Sequence, residues 1–187
     1  MKKQGTRLAI FILVTFVLAT IASTAAFAQS DAQRAFEKLK TLTGTWEGTG
    51  PDGKTMQITY RVTSGGSALL SEISPDDAMI TMFHLDGDRL MMTHYCGAGN
   101  QPRMKGTLSP DGKTVAFEFV DATNLASPNA GHMNRAAFSM PDASHHSEEW
   151  TFLANGKEET HRFELHRVAT ASAAAPDGMK AKEEHKH

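Results

Sequence analysis

The sequence predicts an all-β protein, an antiparallel meander of about ten strands closed into a barrel with a short N-terminal helix at one end. Three observations predict it. Between Gly44 and Val168, apolar and polar residues alternate through ten short runs, the period of two that gives a strand one dry and one wet face. Compact turns join the runs: Pro51-Asp52-Gly53, Ser64-Gly65-Gly66, Asp86-Gly87-Asp88, Pro110-Asp111-Gly112 and Asn155-Gly156. In such turns Pro presets one dihedral, Asp bonds its own backbone and Gly supplies a positive φ. Links this short make consecutive strands antiparallel neighbours. Ten one-sided strands form either a sandwich or a barrel, and meander order with a helix at the rim favours the barrel, which leaves no free edges.

In chain order, Ser30-Asp31 caps a short helix whose apolar stripe is Phe36, Leu39 and Leu42, and Gly44 ends it. The strand runs follow at Thr45–Gly50, Lys54–Thr63, Ala68–Ile73, Ala78–Leu85, Arg89–Cys96, Arg103–Leu108, Lys113–Asp121, His132–Met140, His145–Leu153 and Lys157–Val168. Alternation assigns their faces. Met56, Ile58, Tyr60 and Val62 share one side of the second run; Val115, Phe117 and Phe119 oppose Glu118; Trp150 and Phe152 oppose Glu149 and Thr151; Phe163 and Leu165 oppose Arg162 and Glu164. The turn Pro-Asp-Gly-Lys-Thr occurs at 51–55 and again at 110–114 without matching flanks, one turn solution used twice.

Two terminal segments stand apart. Lys2, Lys3 and Arg7 precede an apolar run from Leu8 to about Ala22, then Ala26-Phe27-Ala28. That is the layout of a signal peptide cleaved after Ala28, so residues 1–28 are expected to be removed and the protein to be periplasmic or secreted. The apolar run is short for a membrane anchor and has no basic flank after it, and no cysteine lies near the site to carry a lipid. After Val168, residues 169–187 are Ala, Ser and Thr and then Lys, Glu and His, a composition that cannot bury enough apolar surface to order itself. The expected domain is therefore 29–168.

Nineteen basic and 21 acidic residues give a formal charge of −2, which becomes −5 when Lys2, Lys3 and Arg7 leave with the leader. This balance offers no electrostatic basis for nucleic acid or an anionic membrane surface as partner. The one cysteine, Cys96, makes no intramolecular disulfide, so stability in an oxidising compartment rests on the core. Composition does not set the oligomeric state.

The segment Leu-Thr-Gly-Thr-Trp-Glu-Gly at 42–48, with Gly44-x-Trp46 opening the first strand behind a short helix, resembles the calycin group of lipocalins, fatty-acid-binding proteins and nitrobindin-like barrels. The span from about Leu39 to Val168 is similar to lipocalin-like domains of exported bacterial proteins of unassigned function. The resemblance implies that Trp46 closes one barrel end beneath a basic residue late in the last strand, Arg167 or else Arg162. Nitrobindin-like proteins hold haem through a histidine, but the motif around that histidine is missing here, so the ligand does not carry over.

The sharpest chemical feature lies between His84 and Met104. Leu90, Met92, His94 and Cys96 alternate with Met91, Thr93 and Tyr95, which sets an imidazole and a thiol at the end of an apolar row. This pair suits a ligand, a metal or thiolate chemistry, but Cys more often serves as a small buried hydrophobe. A nucleophilic Cys also needs a base and an orienting group, and no third partner is evident. His84 shares a face with Ile80 and Met82, and His161 with Phe163 and Leu165, so both are expected to point inward with His94. Asn100-Gln101-Pro102-Arg103 is either a polar gate, with Arg103 receiving a carboxylate at the cavity mouth, or a turn that needs these residues for its dihedrals. His145-His146-x-Glu148-Glu149 reads as a solvated rim. No triad order, phosphate-binding glycine loop or metal-ligand spacing is present.

The expected function is binding of a small, mostly apolar or amphiphilic molecule, its head a carboxylate or other polar group, in the barrel interior. The candidate ligand-binding residues are Tyr60, His84, Met92, His94, Cys96, Arg103, Phe117, Trp150 and His161, with Trp46, Met82, Phe119 and Phe163 also facing inward. No cofactor is named, and more than binding is not assigned. The alternatives are a haem- or metal-binding protein or enzyme using His94, Cys96 and His161, and a filled barrel that acts through a protein partner.

Overall fold

Ser30 caps the first helix in both directions. Its side chain accepts from Gln33 N while the Gln33 side chain accepts from Ser30 N, a capping box that satisfies two otherwise orphaned amides. The computed structural model describes residues 29–50, 53–74 and 79–169. The expected signal peptide and all of the tail but Ala169 lie outside them. Helix α1 is Asp31–Lys40, followed by β1 (Gly44–Thr49), β2 (Thr55–Thr63), β3 (Ala68–Ser74), β4 (Ile80–Asp86), β5 (Arg89–Tyr95), β6 (Gln101–Leu108), β7 (Thr114–Thr123), β8 (His132–Ser139), β9 (His145–Ala154) and β10 (Lys157–Arg167).

Every strand pairs antiparallel with its neighbours in sequence, and β1 also pairs with β10, which closes the barrel. The expected fold class is therefore observed. The helix buries Ala32, Ala35, Phe36 and Leu39 against one end, where it touches β4, β5 and β6. At that end Trp46 is 1% exposed, its Nε1 donates to Leu42 O at 2.7 Å, and the Arg167 guanidinium lies over its ring at 4.1 Å. Arg167 donates to the carbonyls of Thr41, Thr43 and Ala143, so one side chain joins the helix exit, the β8–β9 turn and the final strand. Gly44, at φ 123°, is required here because a Cβ would stand 2.9 Å from Arg167 Nη1.

Above this cap the barrel is filled. Phe83, Phe117 and Phe138 pack with ring centroids 5.5–5.8 Å apart, in tilted and edge-to-face arrangements, among Leu69, Leu90, Met92 and Met104. Gly106 gives Phe117 and Leu90 their room, since a Cβ there would fall 2.7 Å and 2.8 Å from their side chains. Toward the end opposite the helix the filling stops and a cavity opens.

Candidate functional site

The opening follows from the parity of the strands. In β5, Leu90, Met92 and His94 face inward and Met91 and Thr93 outward, as expected; in β9 the inward row is His146, Glu148 and Trp150. Between them, in the half of the barrel away from α1, lies a cavity of about 320 Å³. Its walls are Thr55 and Met56 of β2, Ile73 and Ser74 of β3, Met79, Met133 of β8, and His161 and Phe163 of β10. Gly50 and Lys54 stand at the rim, and His94, Glu148 and Trp150 form the floor. The walls are mostly apolar and the polar groups gather at the floor, the usual division of labour in a small-molecule site.

The floor is a buried polar network. Glu148 accepts from the Tyr60 hydroxyl, from Trp150 Nε1 at 2.9 Å, and from His146 Nε2 at 3.3 Å. A buried carboxylate survives only with such donors around it. Burial first, and then the Glu148 charge, push the Tyr60 phenol well above its ordinary pKa, so it stays protonated and donates. His94 packs its ring 4.8 Å from that of Trp150, and its Nδ1 bonds Thr81 Oγ1 at 2.9 Å. Its Nε2 is buried and has no partner among the described residues.

His94 is consequently an uncharged imidazole at neutral pH. Burial pushes its pKa from 6.5 to about 4, with the Glu148 charge acting in the opposite direction. Because the folded value lies below the unfolded one, the unfolded chain takes up the proton first. This site therefore costs no stability above about pH 6.5 and removes stability as pH falls toward 4. Over that window the loss is expected to be on the order of 3 kcal/mol. Urea midpoints at pH 7, 5 and 4 should show a shallower acid decline in His94→Gln than in the wild type, and parallel declines would contradict the assignment.

The expected site residues separate into three groups. His94, Trp150 and His161 line the cavity, and Tyr60 lies beneath its floor through Glu148. Met92 and Phe117 face inward as expected but belong to the filled half. His84, Cys96 and Arg103 lie elsewhere. In β4 the buried row is Thr81 and Phe83, so His84 and Met82 are on the other face; Phe83 buries more apolar surface than His84, and that decides the parity. Strand β5 ends at Tyr95, which leaves Cys96 in the following turn, where its Sγ accepts from Ala98 N at 3.5 Å. Arg103 is exposed and paired with Asp121 of β7, because Pro102 and Met104 occupy the inner row of β6. No carboxylate clamp forms at the mouth. Asn100 instead donates to Gly131 O at 2.8 Å, tying the β5–β6 turn to the β7–β8 loop.

This chain matches no protein-family model and no curated protein. It is similar in structure to a protein of unknown function of the DUF3598 family from Nostoc punctiforme, at 11% identity, over 70% of this chain and 49% of that one, with a TM-score of 0.48. It is also similar to Rv2717c from M. tuberculosis, at 17% identity, over 72% of this chain and 98% of that one, with a TM-score of 0.49. The chain spans about half the length of the Nostoc protein. No residue role passes across likenesses of this degree, and the site rests on its own geometry.

Two residues central to that geometry, His146 and Glu148, are not the solvated rim expected of them; His145 and Glu149 are, paired with Asp142 and Arg162. The signal for His146 and Glu148 was the shared parity with Trp150 and Phe152. For coordination, His94 Nε2 has no partner among the described residues, while His161 Nε2 stands 3.0 Å from Glu159. Among the described residues no three His, Cys, Asp or Glu side chains group closely enough to hold a metal ion. What the arrangement can do is take an apolar body against its walls and engage one polar atom at depth.

Proposed function

We propose that the protein is an exported, calycin-like barrel that binds a small, mostly apolar or amphiphilic molecule in the open half of its interior. One observation carries this reading: an apolar-walled cavity of about 320 Å³ ending on a buried His94 whose Nε2 lacks a partner among the described residues. A volume of this size falls at the lower end of small-molecule sites. The calycin assignment draws support from Arg167 lying over Trp46, the contact that the Gly44-x-Trp46 resemblance implied. Export draws support from the basic, apolar and small-residue layout of residues 1–28, and the mildly acidic charge favours a small molecule over nucleic acid as partner.

Native mass spectrometry of untagged protein purified from its own compartment tests the reading. Spectra should show a bound species of small mass, and the protein mass itself should begin at or near Gln29. His94→Ala should lose the adduct, whereas Met91→Ala, on the outer face of β5, should keep it. A stoichiometrically empty barrel that also takes up no apolar probe would overturn the proposal.

A further inference from the structure

The polar end of the ligand is legible in the floor. His94 is 1% exposed, and its Nδ1 is engaged by Thr81 Oγ1. A threonine hydroxyl can donate or accept, so two tautomers fit. In one, Thr81 donates to Nδ1 and Nε2 carries a hydrogen; in the other, Nδ1 donates to Thr81 and Nε2 offers a lone pair. Either way one buried polar atom stays unsatisfied, a state folded proteins rarely leave standing without a reason.

Beside it, Glu148 constrains the charge. Its carboxylate already accepts from Tyr60, Trp150 and His146. An anionic head brought to the floor would meet that charge across an apolar interior, and His94, held neutral by burial, offers no counter-ion. A cationic head would give up its hydration to reach a carboxylate whose donors are already in place. A carbonyl satisfies one His94 tautomer only. A hydroxyl satisfies both, accepting from Nε2–H or donating to the Nε2 lone pair, and it adds no charge. Arg103, the residue expected to receive a carboxylate, is instead paired with Asp121 on the outside.

Resting on the cavity reading above, we infer that the molecule bound is an uncharged alcohol or phenol, its apolar body against Met56, Ile73, Met133 and Phe163 and its hydroxyl on His94 Nε2. The floor thus selects the head group, and the walls tolerate a range of bodies.

Calorimetric titration of the purified mature protein with naphthalene, naphthol, naphthoate and naphthylmethylammonium separates the possibilities, because the body is constant and only the head changes. Naphthol should bind roughly tenfold or more tighter than naphthalene, since a buried hydrogen-bonding atom left unpaired costs about that factor. Naphthoate and the ammonium should bind more weakly than naphthol. In His94→Leu the naphthol-to-naphthalene ratio should fall toward one; if that variant does not fold, the wild-type series decides alone. Equal affinity for naphthol and naphthalene overturns the hydroxyl inference and leaves the cavity reading intact. Tighter binding of naphthoate or of the ammonium overturns it in favour of a charged head. Failure of all four probes to bind overturns the cavity reading and this inference together.

Discussion

Glu148→Ala is expected to destabilise the barrel by about 3–5 kcal/mol, the range for breaking a buried polar cluster from one side. The substitution strands three donors at once: the Tyr60 hydroxyl, Trp150 Nε1 and His146 Nε2. Each buried group left without a partner costs about 1–3 kcal/mol, and the space vacated beside Tyr60, Trp150 and His146 adds a cavity term. Partial compensation among the three keeps the total below their simple sum. Glu148→Gln keeps one carbonyl oxygen but turns an NH2 toward a donor, so its cost should fall between wild type and Ala. Tyr60→Phe combined with Glu148→Ala should cost less than the two changes added, because the phenol's lost acceptor is then no longer missed. Urea midpoints at constant m read all of these. A Glu148→Ala cost under about 1 kcal/mol would show a solvated carboxylate and remove the network from the floor.

Trp46→Ala should cost a similar amount, about 3–5 kcal/mol, as large aromatic truncations in cores do. Here the loss has three parts. The indole fills the barrel end at 1% exposure, gives Leu42 O its donor, and meets the Arg167 guanidinium over its face and the His146 ring edge-to-face at 4.3 Å. Trp46→Phe keeps most of the filling and loses the N–H, so it should recover more than half of the stability. Because His146 also touches Glu148, the cap and the cavity floor share a member. Trp46→Ala should therefore loosen ligand retention as well as lower the midpoint, and a variant that unfolds early yet binds normally would separate the two.

The parts of the fold that were readable from the chain are those in which one physical preference acts alone. Strand count and order followed from turn chemistry, because Asp-Gly and Asn-Gly pairs enforce reversals whatever the faces do. Trp46 and Arg167 followed from a local triplet and the closure it implies, and the capped helix from Ser30 with its apolar stripe. The site was harder, because there two preferences compete. Glu148 was assigned to water since an isolated buried carboxylate is costly, yet its parity with Trp150 placed it inside, and donors from β2 and its own strand made that tolerable. Those donors lie 88 residues and two residues away, and only the folded register brings the distant one in. In β4 both rows, Ile80-Met82-His84 and Thr81-Phe83-Leu85, are apolar enough to be the dry one. The choice falls to the neighbouring strands, where Phe83 meets Leu69 and Met92. Cys96 was placed by extending an alternation one residue beyond the point where its strand ends.

The seam between β1 and β10 has a consequence in time. Arg167 bonds the carbonyl of Thr41 across 126 residues of sequence, and Trp46 pairs with Arg167 in the ladder. While the chain is being made, β1 has a partner on only one side until β10 has emerged. Until then β1 and the most recent strand are open edges, and the indole lacks the guanidinium that covers it. Contacts so distant in sequence form late and slow the search for the native state, so folding should complete as a single closing event in the finished polypeptide. The interval before that event is when the chain is most exposed to strand-to-strand association with its neighbours.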